Sequence, residues 1–442
     1  LTVAAFVAGG SAIMVPERVV VTGLGVVAPN GHGKEAFARA LREGKSGIRF
    51  LPYLRDAGLA CQVGGIPEGI HELSVRYFTE EERVVENDTT DLAAIAAIDA
   101  WTDAGLARLP ADSDAIDWDS GAIIGTGCGA IDVFAEKIVP LVTDGKVEQV
   151  ATVITAMDQA YINANSARVA GMLGLGNQVS TNSSACSTGN EAVVEAFIHI
   201  RQGRAVRMLA GGSEGGHSKY AWGGADAMKV LSRAFNDAPE KASRPMSASA
   251  GGFVPAAGAG ILLLESLSSA QARGARVYAE VLGAYVNCGG QRMGGTMSAP
   301  NPEGVRRCIR AAVAMAGIRS EEIDAINGHL TATYADPLEI ESWSAALGLR
   351  PSQMPLIQAT KSMIGHALGA AGGIECVASV LQLHEGFVHG SINCEDLHLA
   401  LAPYAERIPH TTILLPDMKV MAKASFGFGD VNACIVFRKI EN

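Results

Sequence analysis

Strand-like and helix-like segments alternate along this chain from end to end, and the pattern restarts once, near Leu267. Short apolar runs alternating with helical stretches predict α/β sheets covered by helices, and a restart near the middle predicts two related halves. The first half reads as strands near 18–22, 121–125, 178–181, 205–210 and 259–265, with helices over 33–43 and 188–201. The second half reads as strands near 277–286, 323–327 and 433–438, with helices over 302–316 and 336–347. Asp336 is suited to N-cap the last helix, with Pro337 at N1 and Glu339 at the capping-box position. The expected division is an N-terminal half over 14–266 and a C-terminal half over 267–442.

Composition narrows the class. The 442 residues are 48% hydrophobic and 18% charged and include 51 glycines, which suits a large packed core with many turns and does not suit disorder. A formal net charge of −11 and the lack of a basic run give no electrostatic case for nucleic acid. None of the eight cysteines forms a CxxC pair, so neither a disulfide framework nor a zinc site is expected, and reduced cytoplasmic thiols are. Residues 1–13, LTVAAFVAGGSAI, are apolar but lack the positive start and the length of a signal peptide or membrane span. Met14 is a candidate natural start, and no other stretch reaches transmembrane length.

Two motifs are decoys. Gly23-Leu24-Gly25-Val26-Val27-Ala28 fits a dinucleotide fingerprint, but Pro29-Asn30-Gly31 follows where a helix must open. Gly211-Gly212-Ser213-Glu214-Gly215 fits a hydrolase elbow, but residues 216–224 make a poor helix start. Both read as glycine-rich turns.

Ser184-Ala185-Cys186-Ser187-Thr188-Gly189 lies between a strand and a helix. A cysteine there faces unpaired N–H groups and the positive end of the helix dipole, which favour thiolate and can stabilise an oxyanion. His329 lies in the run 327–333, NGHLTAT, and His366 in 361–372, KSMIGHALGAAG. The small residues around both leave room for a substrate.

Together these motifs resemble the elongating β-ketoacyl-acyl carrier protein synthases. The resemblance runs from about Arg18 to Lys439 and includes RVVVTGLGVVAPNG, SACSTG, HLTAT, KSMIGHALGAAG and SFGFGDVNACIVF. It implies a thiolase-like, five-layered αβαβα fold, a homodimer, no metal and no cofactor, with substrates carried on the phosphopantetheine of acyl carrier protein. It also implies a role for each residue. Cys186 takes the acyl chain as a thioester. His329 and His366 hold the malonyl carbonyl while CO₂ leaves. The N–H groups of Cys186 and Phe428 meet the oxyanion, and Phe428 gates the acyl pocket. Thr331 and Thr333 contact the pantetheine arm. Lys361 and Glu375 form a buried pair that shapes the site.

The chain also departs from that family's pattern. Leu330 and Ala332 replace small positions of the first histidine motif, which predicts a stiffer loop. Asp430 stands where a glycine is usual, and Ala424 where asparagine is frequent. Residues 244–254, RPMSASAGGFV, have lost acidic and basic residues together. The stretch Thr79-Glu80-Glu81-Glu82-Arg83 is acidic where carriers usually meet a basic surface, and like charges slow encounter. Arg201, Arg204, Arg207 and Arg233 are the alternative basic candidates. The resemblance implies fatty-acid synthesis, and these departures set a specialised polyene or polyketide pathway beside it as a close competitor. The competing readings are a non-catalytic chain-length-factor-like partner subunit, in which the nucleophile is typically absent, and a thiolase. The latter needs a second cysteine at the C-terminal turn, whereas Cys434 lies in the final strand. A heterodimer with a related subunit is the alternative assembly.

Overall fold

The computed structural model describes residues 16–84, 87–110, 113–146, 161–215 and 219–440. The apolar extension 1–13 and Met14 lie outside these.

Read outward from its middle, the large sheet repeats one topology. The N-terminal half runs Val19–Ala28, Gly258–Ser266, Arg207–Glu214, Ser120–Gly125, Val179–Ser180. The C-terminal half runs Ala279–Cys288, Val431–Arg438, Val420–Gly427, Ala325–Asn327, Leu356–Gln358. Numbered within its own half, each set has the order 1-5-4-2-3. The two sets meet only at a short antiparallel seam, where Val19, Val20 and Val21 face Val281, Glu280 and Ala279.

Helices complete five layers. Asp88–Asp103 covers the outer face of the N-terminal set, and Pro302–Ala316 covers that of the C-terminal set. Between the sets lie Thr188–Arg201 and Leu368–Glu385. Every residue from Gly369 to Leu383 is buried, as a helix apolar on all sides must be. Gly189 and Gly372 make the crossing of these central helices possible: a Cβ on either would strike backbone of the other helix. That close approach brings the residues before the two helices together. This is the thiolase-like αβαβα arrangement that the resemblance implies. Among the described residues, no helix is long and apolar enough to cross a membrane.

Both decoys prove to be strand interiors, not turns. Val19–Ala28 continues through Gly23 and Gly25, past a register shift between Val21 and Gly23, and the missing side chains of both glycines admit the carbonyls of Ala100 and Ala96. Arg207–Glu214 runs through Ser213, whose buried hydroxyl donates to Thr89 O at 2.6 Å. A helix does form at Lys219–Ala227, but it does not follow the serine directly. The capping expectation at 336–339 is also corrected. The helix is Ala335–Leu347 with Tyr334 at its N-cap position and no side-chain cap. The carboxylates of Asp336 and Glu339 serve the preceding loop instead.

Candidate active site

Three elements deliver the central groups. Cys186 sits in the single 3₁₀ turn Ala185–Ser187 that opens into Thr188–Arg201. Ala185 takes φ +50° to make that turn. His329 follows the strand Ala325–Asn327, and His366 lies between Lys361–Ile364 and Leu368–Glu385. All three side chains are buried, and their ligand atoms lie within 4.8 Å of one another. The two imidazoles stand edge to face, with centroids 5.4 Å apart.

Their surroundings fix how the rings present themselves. The Leu368 N–H donates to His366 Nδ1 at 3.2 Å. Because a backbone amide can only donate, Nδ1 must accept and the proton resides on Nε2. That Nε2 is buried without a hydrogen-bond partner, leaving it free for a ligand. His329 Nδ1 faces the Lys361 ammonium at 3.5 Å, which selects the same tautomer. Burial, followed by the nearby lysines, pushes both imidazoles well below the ordinary histidine range, so both are neutral N–H donors.

Cys186 differs from the sequence expectation. Burial pushes its thiol up to about 11, against the lowering pull of the Phe428 N–H and of Lys361. The helix proper begins only at Thr188, and exclusion of water outweighs the donors. The backbone N–H groups of Phe428 and Cys186 both act on the sulfur, lowering its pKa against burial.

The histidine loop depends on two carboxylates whose role the sequence reading missed. Glu339 accepts from His329 N at 2.7 Å and Leu330 N at 2.8 Å. Asp336 accepts from Thr331 N at 2.8 Å, Ala332 N at 3.1 Å and Met246 N at 2.8 Å. These bonds hold Leu330 at φ +24° and Ala332 at φ +63°, conformations that non-glycine residues rarely adopt. Burial raises Glu339 to about 7. The hydroxyls of Thr331 and Thr333 are 3.0 Å apart, and both line a cavity of about 390 Å³ that reaches Cys186, His329, His366 and Phe428.

Behind His329, Lys361 Nζ lies 2.5 Å from Glu375 Oε1. A second buried lysine, Lys423, lies 2.9 Å from Glu375 Oε2. It directs hydrogen bonds to Ala424 O and Ser425 Oγ, so it meets Glu375 through charge and not through a directed bond. The signal for it in the sequence is a lone lysine inside the apolar run Val420–Phe426.

Asp430 ties the turn beside Phe428 to the loop 289–301. Its buried carboxylate accepts from Gln291 N at 2.9 Å and Asn301 N at 2.7 Å. It fills space that only glycine leaves open at 289 and 295. At 244–254, the Ser247 hydroxyl, the Ser249 backbone N–H and the Arg244 guanidinium all donate to the Asp396 carboxylate. Of the basic candidates, Arg207 pairs with Asp117 and Arg233 with Asp226, while Arg201 lies over the Phe197 ring. In the acidic stretch, Glu82 pairs with Arg108. Cys434 is buried in the C-terminal core with Cys308, away from the cavity.

Comparison with known proteins agrees with this geometry. Residues 16–270 match the family described as "Beta-ketoacyl synthase, N-terminal domain", and residues 278–395 match its C-terminal domain. The chain is 36% identical over 432 residues to the chloroplastic 3-oxoacyl-[acyl-carrier-protein] synthase II of Arabidopsis thaliana, covering 95% of this chain and 75% of that protein. A solved type II PKS acyl-carrier protein in complex with its ketosynthase, bound to the hexaketide, aligns with TM-score 0.83 at 30% identity, covering 96% of this chain and all of that one. The ishigamide ketosynthase/chain length factor aligns with TM-score 0.84 at 28% identity, with the same coverage. With both halves of the family pattern spanned in order, this chain belongs to the beta-ketoacyl synthase family.

Proposed function

We infer that this protein condenses an acyl thioester with malonyl-acyl carrier protein, with loss of CO₂, to give a 3-oxoacyl-acyl carrier protein. The observation that carries the reading is a buried thiol faced by two neutral imidazoles whose tautomers are fixed from behind.

In the first step the Cys186 sulfur attacks the acyl-carrier carbonyl. The N–H groups of Cys186 and Phe428 stabilise the oxyanion, the carrier leaves with the thiol proton, and the acyl chain stays on Cys186. In the second step the Nε2–H groups of His329 and His366 donate to the malonyl thioester carbonyl. The C–C bond to the carboxylate breaks, CO₂ departs, and the electron pair is held as an enolate. The carbanion then attacks the acyl-Cys186 carbonyl, a new C–C bond forms, and the thiolate leaves and takes a proton.

In this reading Thr331 and Thr333 bind amides of the pantetheine arm, Phe428 gates the way from thiol to acyl pocket, and Lys361 with Glu375 shapes the ground behind His329. The reaction draws on no cofactor or metal beyond the carrier's phosphopantetheine. The chain divides as 14–266 and 267–442, works in the cytoplasm and forms a homodimer through the sheet edge at Val179–Ser180. Exposed Tyr161, Ile162 and Trp118 support an interface on that side. Pairing with a related subunit is the alternative, favoured by the neighbour that is a ketosynthase/chain length factor. The intact Cys186–His329–His366 set argues against a non-catalytic role.

The test is intact-protein mass with a panel of acyl carriers and malonyl-carrier. An acyl adduct that vanishes in Cys186→Ala, with a carrier product two carbons longer, is the expected result. A folded protein that no donor acylates would overturn the assignment.

A further inference from the structure

The buried ground behind the histidines carries two ammonium groups for one carboxylate. Lys361 and Lys423 both lie on Glu375, at 2.5 and 2.9 Å, and all three side chains are excluded from solvent. A buried lysine–glutamate pair alone would be neutral; with two lysines on one carboxylate the cluster has one basic group more than acidic, although burial and the Lys423 charge beside it lower Lys361. We propose that Lys423 is a positioning residue for the condensation: the second cation of a two-lysine, one-carboxylate cluster that holds His329 and His366 as neutral Nε2–H donors. This rests on the reading of the histidines given above.

Geometry explains why neutrality matters. The Nδ1 atoms are the acceptor sides of both rings, one toward the Leu368 N–H and the other toward the Lys361 ammonium. A proton added at Nδ1 would put donor against donor and turn the ring from its cradle. The charged or titratable groups around the rings are Lys361, Lys423, Glu375, Glu339 and the Cys186 thiol, with the buried carboxylates of Asp336 and Glu214 behind the two histidine loops. Both lysines disfavour the protonated imidazoles. Glu339 opposes them, but burial raises it to about 7, and its oxygens are occupied by the His329 and Leu330 N–H groups. As pH falls through that value Glu339 gains a proton, so the cluster becomes more positive when the histidines most need protection.

The argument turns on a charge count, and the count can be altered and restored. Lys423→Met removes one cation and leaves Lys361 balanced by Glu375. Lys423→Met with Glu375→Gln removes one charge of each sign and restores the surplus. Lys423→Arg keeps the charge. The measurements are malonyl-carrier decarboxylation from pH 5 to 8, acyl loading of Cys186 by mass, and ¹⁵N-histidine NMR of the free enzyme. We expect K423M to load acyl groups and its acid limb to move up by about one pH unit, a size typical of a nearby buried charge. Its two ring signals should titrate at correspondingly higher pH. The double variant and K423R should return both readouts toward wild type. An unchanged acid limb and unchanged ring titration in folded K423M would overturn the proposal. So would a shift in K423M that the double variant fails to reverse, because the effect would then be one of packing. If K423M does not fold, Lys423→Gln takes its place, with the same expected shift and the same overturning outcomes. Failure of wild type to load any acyl donor would instead defeat the underlying reading, and the NMR titration would still decide the electrostatic claim.

Discussion

A thiol has to lose its proton to react, and Cys186 sits where that loss is disfavoured. Burial raises it to about 11, while the Phe428 N–H pulls the other way. Alkylation of the free enzyme should therefore accelerate about tenfold per pH unit from pH 7 to pH 10 with no plateau. A plateau near pH 7 would mean that the thiolate already exists in the resting enzyme. The same shift bears on stability, with the sign of an acid whose folded pKa is raised. The unfolded chain releases this proton more readily, so the contribution is intact below the ordinary thiol range and is lost as pH rises from there toward 11. Residue identity made Cys186 and both histidines stand out in the sequence, because their neighbours are small and their motifs compact, and the fold brings the three together. Lys423 was hidden for a physical reason. Its meaning depends on Glu375, which is near in space only because Val420–Gly427 lies beside the central helix.

At the scale of elements, loops are held by carboxylates that point backwards. Asp336 and Glu339 look like capping residues because their spacing fits a helix start, yet each turns toward the strained histidine loop. Spacing along a helix specifies a face, not the partner that meets it. Asp430 does similar work for the loop 289–301. Asp430→Gly removes two charge-assisted acceptors, and Asp430→Asn leaves only one oxygen to accept. Amide exchange at Gln291 and Asn301 should rise roughly ten- to hundredfold in the glycine variant, in line with bonds of about 1.5–3 kcal/mol. The asparagine variant should fall between, and equal exchange in all three proteins would show that the carboxylate does not hold the loop. Most strands of the large sheet were readable from apolar runs, but Leu356–Gln358 and Val420–Gly427 were not, and the first strand runs on to Ala28. The two glycine decoys were misread as turns because a glycine that admits a neighbouring carbonyl has the same letter as one that bends the chain. Gly25→Ala should cost roughly 1–3 kcal/mol in chemical denaturation through overpacking against Ala96; a cost near zero would imply that Asp88–Asp103 can shift.

At the scale of the molecule, restarting alternation foretold the duplication, and the shared 1-5-4-2-3 order makes it visible. Strand order itself could not be read from the sequence, since it is decided by crossovers between distant segments. The nucleophile belongs to one half and both imidazoles to the other, and the sheets that carry them join through three residue pairs at Val19–Val21. The seam is not what fixes their spacing: Leu368–Glu385 of the second half packs along Gly258–Ser266 and Arg207–Glu214 of the first, and Thr188–Arg201 packs against it in turn, so the gap between sulfur and ring nitrogens is set by a shared core that neither half could complete alone.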